Sequence, residues 1–200
     1  MLKLSDYRLV FASIGFVGIL LFASPTLGLV LHLPAGEMFS ELWVLGPGRM
    51  AEEYPLNVRV GENYSIYVGV GNHLGSVAYY AVYVKFRNQT EPLPDAFNGT
   101  PSVLSPLFEY RTFLGNNMDW EKEISFSLEN LSFEGNLSKV SRLTINGYAL
   151  NVDKIALWDG ENKGFYFQVF FELWLYNTTI SSFQFHNRFV GIWLNVTRNV

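Results

Sequence analysis

A chain of 200 residues with a net charge of −4 and only isolated lysines and arginines lacks the electrostatic footprint of a nucleic-acid binder. The absence of cysteine excludes disulfides, thiolate zinc sites, iron–sulfur clusters and cysteine nucleophiles. Charged residues make up 16% and aromatic residues another 16%, with 17 Phe, 11 Tyr and 5 Trp; rings and β-branched side chains favour strands, so the composition leans all-β.

Charges stand at Lys3, Asp6 and Arg8, and the next is Glu37. Between them Leu9 to Pro34 is apolar, interrupted only by small residues, Pro25 and His32. A bilayer core is spanned by about 20 apolar residues, so 9–34 is expected to be a transmembrane helix acting as a signal anchor. The positive-inside rule then assigns 1–8 to the cytoplasm and 37–200 to an extracytoplasmic domain. A cleaved signal peptide and a buried core helix are the competing readings. Leu21-Phe22-Ala23 suits cleavage poorly, while Thr26-Leu27-Gly28 offers a site from which the apolar run continues. Retained or cleaved, the leader exports residues 37–200.

From Phe39 the chain reads as short strands separated by turn residues. Phe39–Leu45 ends at Gly46-Pro47-Gly48. Asn63–Val70 alternates, with Tyr64, Ile66, Val68 and Val70 on one face. Gly71–Gly75 is expected to turn this strand back into Val77–Phe86 as a hairpin. Residues 88–106 hold four prolines and read as a long surface loop. Phe108–Leu114 and Trp120–Leu128 come next as strands, and 129–138 reads as a loop or irregular insertion. Asn146-Gly147 is the preferred two-residue hairpin turn, flanked by Leu143–Ile145 and Tyr148–Leu150. Phe165–Tyr176 and Phe189–Val196 close the series. Eight or nine strands predict an immunoglobulin-like antiparallel β-sandwich behind one transmembrane helix.

Asn-X-Ser/Thr triplets occur at Asn63, Asn88, Asn98, Asn130, Asn136, Asn177 and Asn195. With 16 Asn and with Ser or Thr at about one position in nine, chance supplies about two. The seven are therefore expected to be N-glycosylation acceptors on solvent-facing surface. The competing account is that Asn, Ser and Thr simply form turns.

Chemistry is sparse. His32, His73 and His186 have no second histidine at metal-ligand spacing and read as structural. Gly69-Val70-Gly71 opens like a dinucleotide fingerprint, yet Leu74 stands where a third glycine belongs. Asp153, Asp159, Glu161 and Asn162 offer calcium-type oxygens without EF-hand spacing, and Asp159-Gly160 is more simply a turn. Glu109, Glu121, Glu123 and Glu172 raise a glycosidase carboxylate pair whose separation no sequence fixes. Trp43, Trp174, Trp193, Tyr67, Tyr79 and Tyr83 face outward by alternation, to bind carbohydrate or protein or to be covered. No catalytic, cofactor or metal residue is assigned, and a non-enzymatic module is expected.

The order FSELWVLGPG, AEEYPLNVRVGENYSIYVGVGNHLGSVAYYAVYVKF and a closing IWLNVT resembles the archaeal domain-of-unknown-function 1616 family. The resemblance runs from about Phe39 to Thr197 and is weakest over 88–159. It implies a membrane protein with an external β-domain and brings no catalytic or binding residues. The region around Gly71–Gly75 is also similar, more weakly, to adhesion-type immunoglobulin-like modules. Together these features predict a membrane-anchored, glycosylated cell-envelope protein with the lipid bilayer, N-linked glycans and an envelope partner as its contacts. The alternatives are an accessory subunit of a membrane complex and, if the leader is cleaved, a strand-exchanging surface filament.

Overall fold

The computed structural model describes residues 7–30 and 37–196, with side chains at 7–22 and 37–196. The chain divides into two compact units, Met1–Met38 and Phe39–Val200. In the first, α1 covers Arg8–Val30. Its described side chains beyond Arg8 are mostly apolar, Leu9, Phe11, Phe16 and Phe22 among them, and Ser13 Oγ donates to the Leu9 carbonyl at 2.8 Å. Among the described residues no helix is long and apolar enough to cross a membrane. The stretch whose side chains are described, Arg8–Phe22, rises about 22 Å at 1.5 Å per residue. Residues 1–6, most of the expected cytoplasmic segment, lie outside the described residues, as do 31–34 of the expected anchor.

Among the described residues, every regular element of the second unit is a strand. In order these are β1 (Phe39–Leu45), β2 (Asn57–Val58), β3 (Tyr64–His73), β4 (Ala78–Asn88), β5 (Phe108–Leu114), β6 (Met118–Glu134), β7 (Leu137–Ile145), β8 (Tyr148–Asp159), β9 (Gly164–Asn177) and β10 (Ser182–Val196). They form one ten-stranded curled sheet. One half runs β1-β3-β6-β7-β8 and the other β5-β4-β9-β10-β2, joined where Trp158 and Asp159 of β8 pair with Phe165 and Gly164 of β9. Every pairing is antiparallel except β2 with β10. The curl brings the inner faces together: Ile66, Val68 and Val70 of β3, Val82, Val84 and Phe86 of β4, and Phe167, Val169 and Phe171 of β9 share one core. Period two does this, since alternate residues of each strand point the same way.

The fold corrects several expectations. The alternating strands around Gly71–Gly75 do not form a hairpin: β3 pairs with β1 and β6, whereas β4 pairs with β5 and β9. The turn between them carries the chain from one half of the sheet to the other, and β3 itself extends to His73. Residues 129–138 are not a loop either; β6 and β7 pair as far as Glu134 with Leu137. Alternation is disguised there by an irregularity at Asn130, which has φ of 52° and, like Ser141 across from it, is left out of a register that otherwise runs unshifted. At Asn146-Gly147 the hairpin forms as expected, with φ of 50° and 82° and Ile145 opposite Tyr148. Both central residues at positive φ fit a type I′ turn.

Truncating the core has a definite cost. Phe167 is 0% exposed and stacks on Phe86 at 5.5 Å, whereas Phe97 is 96% exposed. In denaturant melts of the full chain in detergent, Phe167→Ala is expected to lose about 3–5 kcal/mol and Phe97→Ala less than about 0.5.

Candidate functional site

The proline-bearing segment 89–107 does not hang free but lies over the outer face of β4 and β9. Beneath it Lys85 and Glu172 form an ion pair at 2.8 Å, with side chains 3% and 0% exposed. Lys85 Nζ also donates to the Ser102 carbonyl at 2.9 Å, and Ser102 N donates to Glu172 Oε1 at 2.8 Å. Trp174 Nε1 donates to Glu172 Oε2 at 3.0 Å. A single residue of the segment is thus gripped by both members of the pair. Nearby, Arg87 Nε donates to Gln168 Oε1 at 2.8 Å on the same buried face. Glu172, a candidate for carboxylate catalysis in the sequence, is here enclosed and engaged at both oxygens. Glu109 pairs with Arg111, Glu121 with Arg49 at 3.4 Å, and Glu123 is exposed.

At the end of the sheet where β1 begins, a line of polar groups crosses the core between the halves. His186 Nε2 lies 3.0 Å from Ser40 Oγ, which lies 2.7 Å from the Tyr80 hydroxyl. That hydroxyl donates to Asn72 Oδ1 at 3.2 Å, and Asn72 Nδ2 donates to the Leu114 and Ser76 carbonyls, both at 2.8 Å. One proton order satisfies the set: Asn72 Oδ1 only accepts, so Tyr80 donates to it, Ser40 donates to Tyr80, and His186 Nε2–H donates to Ser40. Burial, chiefly, and Arg188 in second place hold His186 below its ordinary 6.5. Burial pushes the Tyr80 hydroxyl up.

On the outer face beside this line, Glu41, His73 and Asp119 converge. Their ligand atoms lie within 4.8 Å of one another. The register is responsible: Glu41 of β1 and Asp119 of β6 both sit opposite Gly71 of β3. A Cβ at Gly71 would lie 2.9 Å from Glu41 Oε2 and 3.0 Å from Asp119 Oδ1. His73 Nε2 is 3.7 Å from Glu41 Oε2, its Nδ1 is 3.2 Å from Asn117 Oδ1, and Phe39 stacks on its ring at 4.7 Å.

The seven triplet asparagines occupy distinct places. Asn63, Asn98, Asn130 and Asn136 are exposed, and Asn88, Asn177 and Asn195 are half-buried. Asn88 ends β4 and donates to the Ile155 carbonyl at 2.8 Å; Asn177 ends β9 and donates to Gln184 at 2.8 Å. Asn195 Oδ1 is buried without a hydrogen-bond partner and leans over Gly164. Asp159 closes its own turn through Glu161 N, Asn162 N and Asn162 Nδ2, while Asp153 pairs with Lys139 at 2.9 Å, so the calcium-type residues are not assembled into one site. Gly69 is covered by the Trp43 ring, and Tyr67 lies under Arg49 at 4.7 Å. Tyr79 stacks on Phe113 at 4.0 Å and Tyr83 meets Trp174 at 5.1 Å. Trp193 keeps 37% exposure beside a shallow hollow of about 430 Å³ formed with Gln89, Asp159, Asn162 and Tyr166. His32 lies outside the described residues.

Two measurements probe these contacts. Lys85→Met strands the Glu172 charge and is expected to cost about 3–5 kcal/mol and expose 89–107 to proteolysis, with much of the loss recovered in Lys85→Met/Glu172→Leu. For His186 the native pKa lies below the unfolded one. Between those values the unfolded chain holds the extra proton, so this contribution is complete above about pH 6.5 and falls on acidification. Melts from pH 7 down to 5 should show a slope that flattens in His186→Gln.

Two solved structures of beta-glucosidase from Listeria innocua, one in complex with gluconolactone and one with glucose, are similar at 10% and 9% identity, with TM-scores of 0.41 and 0.37. Each match covers 82% of this chain and 16% of that chain, so the protein spans about a sixth of the length of those enzymes. Among curated proteins none matches. A family model for the domain of unknown function DUF1616 matches residues 33–140, running through part of the stretch where the motif resemblance is weakest and stopping before the closing strand. More than half of the sequence is covered by that match, and the chain belongs to the DUF1616 family.

Proposed function

We propose that this protein is a membrane-anchored, N-glycosylated cell-envelope module whose external domain, an immunoglobulin-like β-sandwich, serves structure or interaction rather than catalysis. The observation that carries the reading is the distribution of the triplet asparagines. β1 enters at the end of the sheet where Phe39 pairs with His73. Asn63, Asn88, Asn130, Asn136 and Asn195 belong to the opposite end: Asn63 precedes β3, Asn88 ends β4, Asn130 and Asn136 lie beyond the pairing of Phe126 with Tyr64, and Asn195 nearly ends β10. Sugars at Asn63, Asn130 and Asn136 would stand away from the incoming chain, whereas Asn177 ends β9 at the β1-entry end.

Further support comes from the sequence, where the apolar run 9–34 exceeds the about 20 residues that span a bilayer core. Two curled half-sheets sharing one core are also the arrangement from which a sandwich is made.

An accessory subunit of a membrane complex is the second reading, favoured by an apolar groove of about 650 Å³ at the β1-entry end. Leu74, Val77, Tyr79, Phe113, Leu175 and Tyr176 line it.

Intact-mass analysis of the native protein, with alkaline extraction of its membranes, tests the main reading. The expected result is a species that resists extraction and exceeds the 22.8 kDa of the bare chain. Glycopeptide mapping should find sugar at Asn63, Asn130 or Asn136 and none at Asn195. An unmodified chain released by alkali would refute it, and stoichiometric co-purification of another membrane protein would favour the second reading.

A further inference from the structure

We infer that Glu41, His73 and Asp119 form a binding site for one divalent first-row transition ion, with zinc as its natural probe. The inference stands apart from the membrane reading, because it uses only the β-domain. Three things argue for it together. The donor set mixes an imidazole with two carboxylates, which suits such ions better than the oxygen-only sets preferred by calcium and magnesium. The imidazole is already oriented: Phe39 stacks on its face, and Nδ1 faces Asn117 Oδ1 at 3.2 Å. An amide oxygen only accepts, so Nδ1 carries the proton and, in the neutral ring, Nε2 is left as a lone-pair donor. That nitrogen faces Glu41 Oε2 at 3.7 Å, a place that a shared cation would fill in the neutral ring and a proton in the charged one.

The third element is the floor of the site. Gly71 sits between Glu41 and Asp119 in the sheet, and its missing Cβ leaves the space over which both carboxylates lean. A first-row ion with ligands at about 2.0–2.2 Å holds neighbouring donors roughly 3.2–3.5 Å apart. The donor atoms here all lie within 4.8 Å, and Glu41 and Asp119, both exposed, are the side chains that would turn to close the difference. Three protein ligands leave a fourth position for water. Because the ligands come from β1, β3 and β6, the ion would rivet the edge strand β1 to the two strands beside it.

The test is titration of the full-length chain in detergent micelles with zinc, manganese and calcium chlorides, read by calorimetry and by the shift in Tm. The expected result is one zinc per chain with a dissociation constant in the micromolar range, a raised Tm, and weaker binding of manganese and calcium. His73→Ala and Gly71→Ala should each weaken zinc at least about 100-fold, the second by filling the floor. Asn117→Ala, which frees the ring, should weaken it about 10–100-fold. Glu121→Gln, on the same face outside the cluster, should leave it unchanged. Circular dichroism of each variant checks folding, and Glu41→Gln serves in place of Gly71→Ala if the latter fails to fold. The inference is overturned if zinc does not bind below about 1 mM, or if its binding survives both His73→Ala and Glu41→Gln. Calcium binding that is tighter than zinc and indifferent to His73→Ala overturns it as well, leaving a surface carboxylate pair.

Discussion

A charge pair sealed under a loop sets the terms for half of this fold. Burying Lys85 and Glu172 separately would cost several kcal/mol each, and their mutual attraction offsets this only with further hydrogen bonds. Those bonds come from Ser102, whose amide and carbonyl serve opposite members of the pair, and from the Trp174 indole. Segment 89–107 is therefore required by the ion pair as much as it is held by it. Without the segment, the outer face of β9 would present Glu172, Phe170 and Gln168 to water; with it, β9 is buried on both faces. A central strand covered on both sides then serves as the seam on which β4 and β10 pair.

The opposite problem arises at β1. An edge strand has one free row of backbone groups and half the packing of a central one. Here it is bound from two directions. Ser40 points inward to Tyr80 and His186, coupling β1 to strands of the other half-sheet, while Glu41 points outward over Gly71 towards Asp119 and His73. Adjacent residues on a strand face opposite sides, so Ser40 and Glu41 divide the work between core and surface. The inner contact is insensitive to salt and metal; the outer one is open to both.

How much of this was legible in the sequence depends on range. Alternation in β3 placed Ile66, Val68 and Val70 on one face, now part of the core, because a side-chain period of two is a local property. Asn146-Gly147 announced its hairpin because positive φ at two successive residues is a demand few residues meet. Partner choice was not legible. The turn at Gly71–Gly75 looks like a hairpin link, and only the saturation of both edges of β3 by β1 and β6 shows that it is a crossover. Asn130 hid a strand by breaking the alternation with one residue at positive φ. Glu41, His73 and Asp119 are brought together by register alone, through Gly71, and no spacing in the chain reports that. A glycine pair in an alternating strand, Gly69 and Gly71, was the available signal. It marks where neighbours from the flanking strands lean in, Trp43 over one and two carboxylates over the other.

The half-buried asparagines refine what the triplets mean. A glycan replaces one hydrogen of Nδ2 and adds bulk beyond it, so an acceptor must leave that nitrogen facing solvent. Asn63, Asn130 and Asn136 do. Asn195 does not: its Oδ1 lies buried against Gly164, Nδ2 is turned to Asn57 at 3.2 Å, and any added ring would displace the β2–β10 pairing. If only the exposed positions carry sugar, Asn63, Asn130 and Asn136 gather their glycans on the β6–β7 tip and the start of β3, while Asn98 carries one in segment 89–107, where Gly99 lies beside Asn187. Partner surface is then confined to what they leave clear, which includes the β1-entry end with its apolar groove. A domain that met a partner through that groove would be built with this asymmetry, and one that polymerised through the far tip would not.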